Sequence, residues 1–331
     1  MRLAVIRPAT VVTLFLLSAS LGTAAAQPRE KMPRIGYLSP GFATDPIRAR
    51  FLQALRQGLR ELGYVEGQNI AIESRWAEGV YDRLSALAAD LVRSKVDVIV
   101  ASSGAATQAA RQATRTIPIV MSLVNDPVGS GLVASLARPG GNVTGLTVMS
   151  PDLLGKRLEL LKAVVPKLSR VALLRNPGNP ADTAMLREAE AAARALGVRL
   201  QPLEARNSQE IDSAFAAMTR ERVGALLILP DGVFLSQRSQ IAELAVKRRL
   251  PSIYGTEYAE SGGLMSYGAN YLDLVRREAT FVDKILKGAK PADLPVAQPT
   301  KFELVINLRT AKAIGVTIPP SLLQRADQII D

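Results

Sequence analysis

Apolar residues are arranged along this chain in short continuous runs that alternate with helical stripes. The run Arg34 to Ser39 predicts a buried strand, and the apolar spacing from about Asp45 to Leu62 predicts the helix after it. The further elements predicted in this half are strands at 69–75, 96–101 and 117–121 and helices at 81–92 and 104–113. Buried strands that alternate with amphipathic helices are typical of a parallel sheet covered on both faces.

The alternation restarts after a seam near Gly145 to Pro151. The elements predicted in the second half are helices at 152–165, 181–196, 208–221, 235–249 and 271–286 and strands at 170–174, 198–203, 225–229 and 251–254. Two α/β halves in tandem predict two doubly wound parallel-sheet lobes, with a cleft between the carboxyl ends of their strands. We expect an N-terminal α/β lobe at 32–146 and a C-terminal α/β lobe at 147–264. Residues 265–331 are expected to cross back, form a multi-strand hinge and add a C-terminal extension.

The first 26 residues have a pattern of their own. Arg2 and Arg7 precede an apolar stretch from Ala9 to Leu21, and the small residues Ala24 to Ala26 follow it. This arrangement predicts a secretory signal peptide cleaved at about Ala26/Gln27. The apolar stretch is short for a bilayer span, and an uncleaved anchor helix is the alternative. Because no cysteine stands at the cleavage point, we expect a periplasmic protein that is not a lipoprotein.

Composition narrows the chemistry that the chain can perform. Its 331 residues include no cysteine and no histidine. Thiolate nucleophiles, disulfides and thiolate metal sites are therefore excluded, and the commonest metal ligand and general base are missing. The chain has no GxSxG, P-loop or GxGxxG motif, and its acidic residues are too dispersed to nominate a catalytic pair. We expect no enzyme, no metal and no cofactor; a hydrolase that uses carboxylates is the enzymatic alternative.

The formal net charge is +11, from 41 lysines and arginines against 30 acidic residues. A basic protein can bind nucleic acid, but here the positive residues are scattered along helices and form no block. No helix-turn-helix precedes residue 32, and the chain carries an export signal. We interpret the charge as a solvated surface and expect no nucleic-acid partner.

Several motifs resemble those of one protein family. The stretches that carry the resemblance are Lys287 to Val296, Lys301 to Leu308, Thr310 to Pro319, Asn125 to Gly129 and Arg138 to Gly145. The first three are similar to the closing signature of the ABC-transporter substrate-binding family that includes tryptophan- and tyrosine-type binders. The two-lobe pattern resembles the type I periplasmic binding proteins. The resemblance covers essentially all of 32–331.

This resemblance implies a solute receptor that closes two lobes on a small polar ligand and delivers it to an ABC permease in the inner membrane. An amino acid is the leading candidate ligand, aromatic ones included. We expect a monomer. The alternative is a sensory module that presents its bound solute to a chemoreceptor or a histidine kinase, and the sequence does not separate the two.

Candidate ligand contacts follow the predicted strands. Backbone N–H groups and hydroxyls at Ser102 and Ser103, with Thr107 one turn on, suit a carboxylate. Asp231 is the preferred partner for an amine. The full set of candidates is Ser39, Ser102, Ser103, Thr107, Asn125, Asn176, Asp231, Glu257 and Tyr267. For each of these residues, the alternative to ligand binding is a structural role as a helix cap, a turn residue or part of the core.

Overall fold

The computed structural model describes residues 32–148, 153–179, 181–255 and 257–331. The predicted signal peptide therefore lies outside the described residues. Within the part that is described, no helix combines the length and the apolar character that a bilayer span requires.

The first sheet contains five strands, all paired in parallel, in the order β2-β1-β3-β4-β5. Its strands are β1 (Arg34–Ser39), β2 (Ala71–Trp76), β3 (Val98–Ala101), β4 (Ile119–Val124) and β5 (Val143–Thr147). The helices between them are α1 (Pro46–Glu61), α2 (Arg83–Arg93) and α3 (Gly104–Ala113). Helix α1 begins where the Asp45 side chain accepts a hydrogen bond from the Ile47 N–H, with Pro46 at its first position.

The second sheet contains seven strands in the order β12-β11-β10-β9-β8-β6-β7. Its strands are β6 (Arg170–Arg175), β7 (Arg199–Glu204), β8 (Ala225–Ile228), β9 (Ser252–Tyr254), β10 (Met265–Ala269), β11 (Phe302–Asn307) and β12 (Gln328–Ile330). The helices of this part of the chain are α4 (Leu153–Val164), α5 (Asp182–Ala195), α6 (Ser208–Arg220), α7 (Gly232–Ser236), α8 (Arg238–Lys247), α9 (Tyr271–Leu286), α10 (Leu308–Ile314) and α11 (Pro320–Leu323). Strands β6 to β10 are parallel and repeat the order of the first sheet, whereas β11 is antiparallel to β10.

The chain passes between the two sheets three times. It leaves β5 for α4, returns from β10 into α9, which packs against α1 and β4, and finally enters β11. Before that last crossing, Ala297 pairs with the first sheet: its N–H donates to the Gly145 carbonyl and its own carbonyl accepts from the Thr147 N–H. We call the first sheet with α1, α2, α3 and α9 lobe 1, and the second sheet with its remaining helices lobe 2.

Two glycines permit the close packing of lobe 1. A Cβ on Gly58 of α1 would lie 2.1 Å from the Arg276 carbonyl oxygen of α9, so only glycine lets these helices approach so closely. Gly145 in β5 has φ +132°, and a Cβ there would lie 2.2 Å from the Met121 carbonyl oxygen. The apolar faces of α1 and α9 cover one side of the sheet with Phe51, Leu55, Val275 and Val282.

The predicted fold class, two doubly wound parallel-sheet lobes, is confirmed by the two sheets and their repeated strand order. One helix differs from its prediction. The segment predicted as a single helix at 235–249 is two helices, because Asp231 caps a short turn that begins at Gly232 and Gln237 then interrupts it. The antiparallel extension through β11 and β12 was not predicted, since β11 follows a crossing that has no periodic signal.

Candidate functional site

A cavity of about 300 Å³ lies between the two lobes, which we call the interlobe cavity. Lobe 1 contributes Arg48, Tyr81, Ser102, Ser103, Asn125 and Tyr271, among others. Lobe 2 contributes Asn179, Pro230, Asp231, Leu235 and Tyr254, among others. Because strand ends and helix starts of both sheets converge here, the cavity occupies the position at which doubly wound sheets bind ligands.

A second cavity of about 430 Å³ adjoins the first and shares part of its wall. Asn125, Asp126 and Pro230 line both cavities, and the second one extends past Met185 on α5. Its remaining wall is mostly apolar, with Leu153 and other aliphatic side chains. The two cavities together offer polar groups at one end and apolar surface at the other.

The start of α3 brings three of the predicted residues close together. The Ser103 side chain accepts a hydrogen bond from the Ala106 N–H at 3.1 Å and so caps the helix. The Thr107 hydroxyl donates to the Ser103 carbonyl at 2.7 Å and is buried behind the cavity wall. Ser102 differs from both, because it lines the cavity and its buried Oγ atom has no hydrogen-bond partner by distance and angle among the described residues, although the Tyr37 hydroxyl lies nearby. Of the three, Ser102 retains a hydroxyl for a ligand.

The Asp231 carboxylate lies in the cavity wall and accepts five hydrogen bonds. The donors are the N–H groups of Val233 and Phe234, the amides of Asn176 and Asn179, and the hydroxyl of Tyr81, at 2.8–3.3 Å. Burial raises the pKa of Asp231, and these donors work against that shift by stabilising the charged form. Asp231 is thus the N-cap of α7, and an ammonium group would have to share its oxygens with donors already present.

Two tyrosines hold the Asp231 segment from opposite sides. The Tyr81 hydroxyl accepts from the Gly232 N–H at 3.3 Å, in addition to donating to Asp231. The Tyr254 hydroxyl donates to the Asp231 carbonyl at 3.1 Å and lies 3.2 Å from the Asp231 amide nitrogen. Burial raises the pKa of both tyrosines above the usual range, so both hydroxyls are neutral donors at physiological pH.

Several side-chain contacts join the two lobes. The Tyr81 hydroxyl contacts both Asp231 and Gly232, and the Asn125 amide lies 3.3 Å from the Met185 sulfur. Further contacts are a 3.2 Å hydrogen bond from Arg48 Nη2 to the Gly232 carbonyl and a 3.5 Å ion pair between Arg238 and Asp45. The lobes are therefore held against each other on more than one side of the cavity.

The structure places four of the nine predicted contacts in the cavity wall: Ser102, Ser103, Asn125 and Asp231. The other five lie elsewhere. Ser39 is buried and accepts a hydrogen bond from the Gly41 N–H, Thr107 is a buried residue of α3, and the Asn176 amide donates to Asp231. Glu257 is buried at a left-handed backbone position, and the Tyr267 ring stacks on Phe302 in the second sheet. A role of any of the nine in ligand binding stays a prediction.

Sequence reasoning missed several polar residues of the wall, among them Arg48, Tyr81 and Gln108. Arg48 could have been noticed, because it interrupts the apolar stripe of α1 one turn before Phe51 and Leu52. Tyr81 follows a turn and shows no comparable pattern. No group of three or more metal-ligating side chains occurs among the described residues.

Three comparisons with known proteins bear on this site. A curated tyrosine-binding protein of Clostridioides difficile (strain R20291) is 29% identical over 290 residues, which cover 87% of this chain and 82% of that protein. The structure of an ABC domain from Streptococcus pneumoniae in complex with L-Trp is 29% identical, with a TM-score of 0.83, covering 91% of this chain and 100% of the other. A ligand-free, open substrate-binding protein from Clostridium difficile is 25% identical, covering 90% and 99%, with a lower TM-score of 0.63.

More distant structures show the fold alone. A periplasmic binding protein/LacI transcriptional regulator from Alkaliphilus metalliredigens is 12% identical with a TM-score of 0.54, and it covers 82% of this chain and 96% of its own. The predicted likeness to type I periplasmic binding proteins is thereby confirmed at the level of fold.

A match to a protein family shows the broad class of protein to which this chain belongs. A model of the family described as ABC transporter substrate binding protein matches residues 42–330, which is most of the chain. Proteins of this kind bind a solute without transforming it, so the prediction of a non-enzymatic protein is confirmed. The resemblance seen in the C-terminal motifs is confirmed as well. The chain belongs to the family of ABC transporter substrate-binding proteins.

Proposed function

We propose that this protein is the periplasmic receptor of an ABC importer, which closes its two lobes on an amino acid, aromatic ones included, and delivers it to the permease in the inner membrane. The observation that carries this proposal is the interlobe cavity, to which both lobes contribute polar side chains and across which Tyr81 donates to Asp231. A ligand that contacts both lobes stabilises the closed arrangement, because its contacts are complete only there.

The superposition supports a closed arrangement in this structure. The chain superposes more closely on the relative bound to L-Trp than on the open, ligand-free relative. The side-chain contacts that join the lobes are those expected of the state that holds a ligand. Closure of this kind needs changes at a few hinge positions only, and we expect those positions where the chain crosses between the sheets.

The walls of the cavities suit a small zwitterion with an apolar side chain. Tyr81, Tyr254 and Tyr271 provide aromatic surface, and polar groups of both lobes lie among them. The adjoining cavity past Met185 leaves room for a bulky side chain. The relatives named for tyrosine and bound to L-Trp support the same ligand class.

A thermal-shift screen of amino acids, small acids, nucleosides and sugars tests the ligand. We expect L-tyrosine or L-tryptophan to raise the melting temperature, since a ligand present at 100 times its Kd adds about 2.7 kcal/mol to the free energy of unfolding. Ala181→Phe, which places a ring in the wall of both cavities, should abolish the shift. Ala191→Phe, at an exposed position on α5, is the matched control and should keep the shift.

The screen also defines what overturns the proposal. If no amino acid shifts the melting temperature while a sugar or nucleoside does, the amino-acid ligand is wrong and the receptor role stands. Transport is tested separately by uptake of labelled tyrosine in a strain that lacks the protein. Normal uptake together with lost chemotaxis toward the ligand would assign the chain to the sensory alternative.

A further inference from the structure

Arg48 is a buried cation that lacks a counter-ion. It lies in the first turn of α1, is 2% exposed and lines the interlobe cavity. Its Nη2 atom donates to the Gly232 carbonyl of lobe 2, whereas Nε and Nη1 have no hydrogen-bond partner among the described residues. Within the described part of the chain, no carboxylate oxygen lies within 4.0 Å of the guanidinium.

Neither Asp45 nor Asp231 forms an ion pair with this guanidinium, although Asp45 Oδ2 has no hydrogen-bond partner among the described residues. Asp45, three residues earlier in the chain, pairs with Arg238 at 3.5 Å. Asp231 already accepts five hydrogen bonds from other donors. Burying a guanidinium costs free energy unless an anion and hydrogen-bond acceptors accompany it. The cavity that Arg48 lines is the place from which such an anion can reach it.

We propose that Arg48 forms an anion subsite in the interlobe cavity, completed by the Ser102 hydroxyl, and that this subsite takes the α-carboxylate of the ligand. This inference rests on the proposed function and adds the orientation of the amino acid in the cavity. Ser102 lines the same cavity and is 3% exposed, and among the described residues its Oγ atom has no hydrogen-bond partner by distance and angle. Arginine is suited to this role because its planar N–H fork matches the two oxygens of a carboxylate.

The same side chain also contacts the opposite lobe. Arg48 belongs to α1 of lobe 1, and its Nη2 atom donates to the Gly232 carbonyl at the start of α7 in lobe 2. A carboxylate bound at the free nitrogens would fix the guanidinium in the position that makes this contact. Recognition of the anion and closure of the lobes therefore share one residue.

A comparison of acid and amide ligands isolates the carboxylate contact. Calorimetry gives the Kd of L-tyrosine and L-tyrosinamide, and of the tryptophan pair, at about pH 6, where the α-amine of both members is protonated. We expect the wild type to bind the acids at least roughly 30-fold more tightly than the amides, as for other buried charge pairs. Arg48→Met should remove this preference by weakening the acids far more than the amides.

Arg238→Met is the matched control. Arg238 also joins the two lobes, through Asp45, but it does not line either cavity. Its loss should weaken acids and amides by the same factor, because it affects closure alone. Arg48→Lys keeps the charge without the planar fork and should retain part of the preference for acids. If Arg48→Met fails to fold, the preference of Arg48→Lys for acids over amides still tests the anion subsite.

The outcomes separate this inference from the proposed function. Equal affinity of the wild type for acid and amide overturns the anion subsite and leaves the amino-acid ligand standing. An equal loss for acid and amide in Arg48→Met and Arg48→Lys also overturns it, since Arg48 then acts on closure only. If no amino acid binds to the wild type, both the proposed amino-acid ligand and the proposed anion subsite are wrong.

Discussion

The Tyr81 hydroxyl of lobe 1 donates a 2.8 Å hydrogen bond to the Asp231 carboxylate of lobe 2. This bond joins the two lobes at the wall of the interlobe cavity, and the protein supplies both of its partners. Its acceptor is held in place by four donors from its own lobe, so the carboxylate is already oriented before the lobes meet. In the proposed closure of the lobes, this pair would therefore contribute whatever the ligand is.

Tyr81→Phe should favour the open arrangement and weaken ligand binding. A hydrogen bond to a charged group contributes about 1.5–3 kcal/mol, so we expect an increase in Kd of at least roughly tenfold. The radius of gyration of the ligand-free variant, measured by small-angle scattering, should be larger than that of the wild type.

Tyr64→Phe is the control for this prediction. Tyr64 donates to Asp283 at 3.0 Å, but both residues belong to lobe 1. Its loss should reduce stability without changing the Kd or the radius of gyration. If both variants bind as the wild type does, the Tyr81–Asp231 bond has no part in closure.

Ser102→Ala and Ser103→Ala should have opposite effects, although the two serines are neighbours. Ser103 caps α3, so its loss should cost about 1 kcal/mol of unfolding free energy and change binding little. Ser102 has a free hydroxyl in the cavity, so its loss should leave stability intact and raise the Kd by about two- to tenfold. Denaturant titration and calorimetry on both variants measure the contrast. The reverse pattern would mean that the ligand contacts the cap rather than Ser102.

Glu278 should make the protein less stable as the pH rises. It is fully buried on α9, and neither carboxylate oxygen has a hydrogen-bond partner among the described residues by distance and angle. Burial raises its pKa well above the usual range, with a smaller opposing effect from Ser122. The folded state thus keeps a proton that the unfolded state releases. From the unfolded pKa near 4.3 up to the folded pKa, this group should cost about 1.4 kcal/mol of stability per pH unit.

Glu278→Gln should remove this dependence, because the amide has the same shape and does not ionise. We expect its melting temperature to exceed that of the wild type by a margin that grows with pH above about 4.3. Glu243→Gln, at an exposed position on α8, is the control and should show no such margin. A margin that stays constant with pH would mean that Glu278 is ionised in the folded protein.

Gly145→Ala should be far more damaging than Gly63→Ala. Both glycines have a positive φ, but a Cβ on Gly63 meets no atom within 4 Å, whereas one on Gly145 would lie 2.2 Å from the Met121 carbonyl oxygen. Gly63→Ala should cost about 1 kcal/mol from backbone strain alone. Gly145→Ala must also displace β5 from β4. Urea titration of both variants should therefore show a much lower midpoint for Gly145→Ala, and equal midpoints would contradict this packing.

Much of the fold could be predicted from the sequence, because strands such as β3 are continuously apolar and helices such as α1 carry a clear stripe. The site was harder to predict. Ser102 and Asp231 could be nominated because they follow predicted strands. The periodicity of apolar residues, however, does not show which residues of one lobe face those of the other. Tyr81 reaches Asp231 across 150 positions of sequence, and only the tertiary arrangement shows it. The helix that contains Arg48 was predicted correctly from its apolar stripe. The sequence did not show that Arg48 is buried, because its side chain contacts the opposite lobe.

The return of α9 to lobe 1 has a consequence for biosynthesis. The apolar face of α1 is covered by a helix that lies more than 200 positions later in the chain. The N-terminal part of the protein therefore cannot complete its packing while it emerges from the ribosome, and must wait until nearly the whole polypeptide has been made. In the proposed periplasmic receptor, such a delay would keep the chain unfolded while it is exported. For the same reason, a fragment ending before residue 271 should aggregate rather than fold alone.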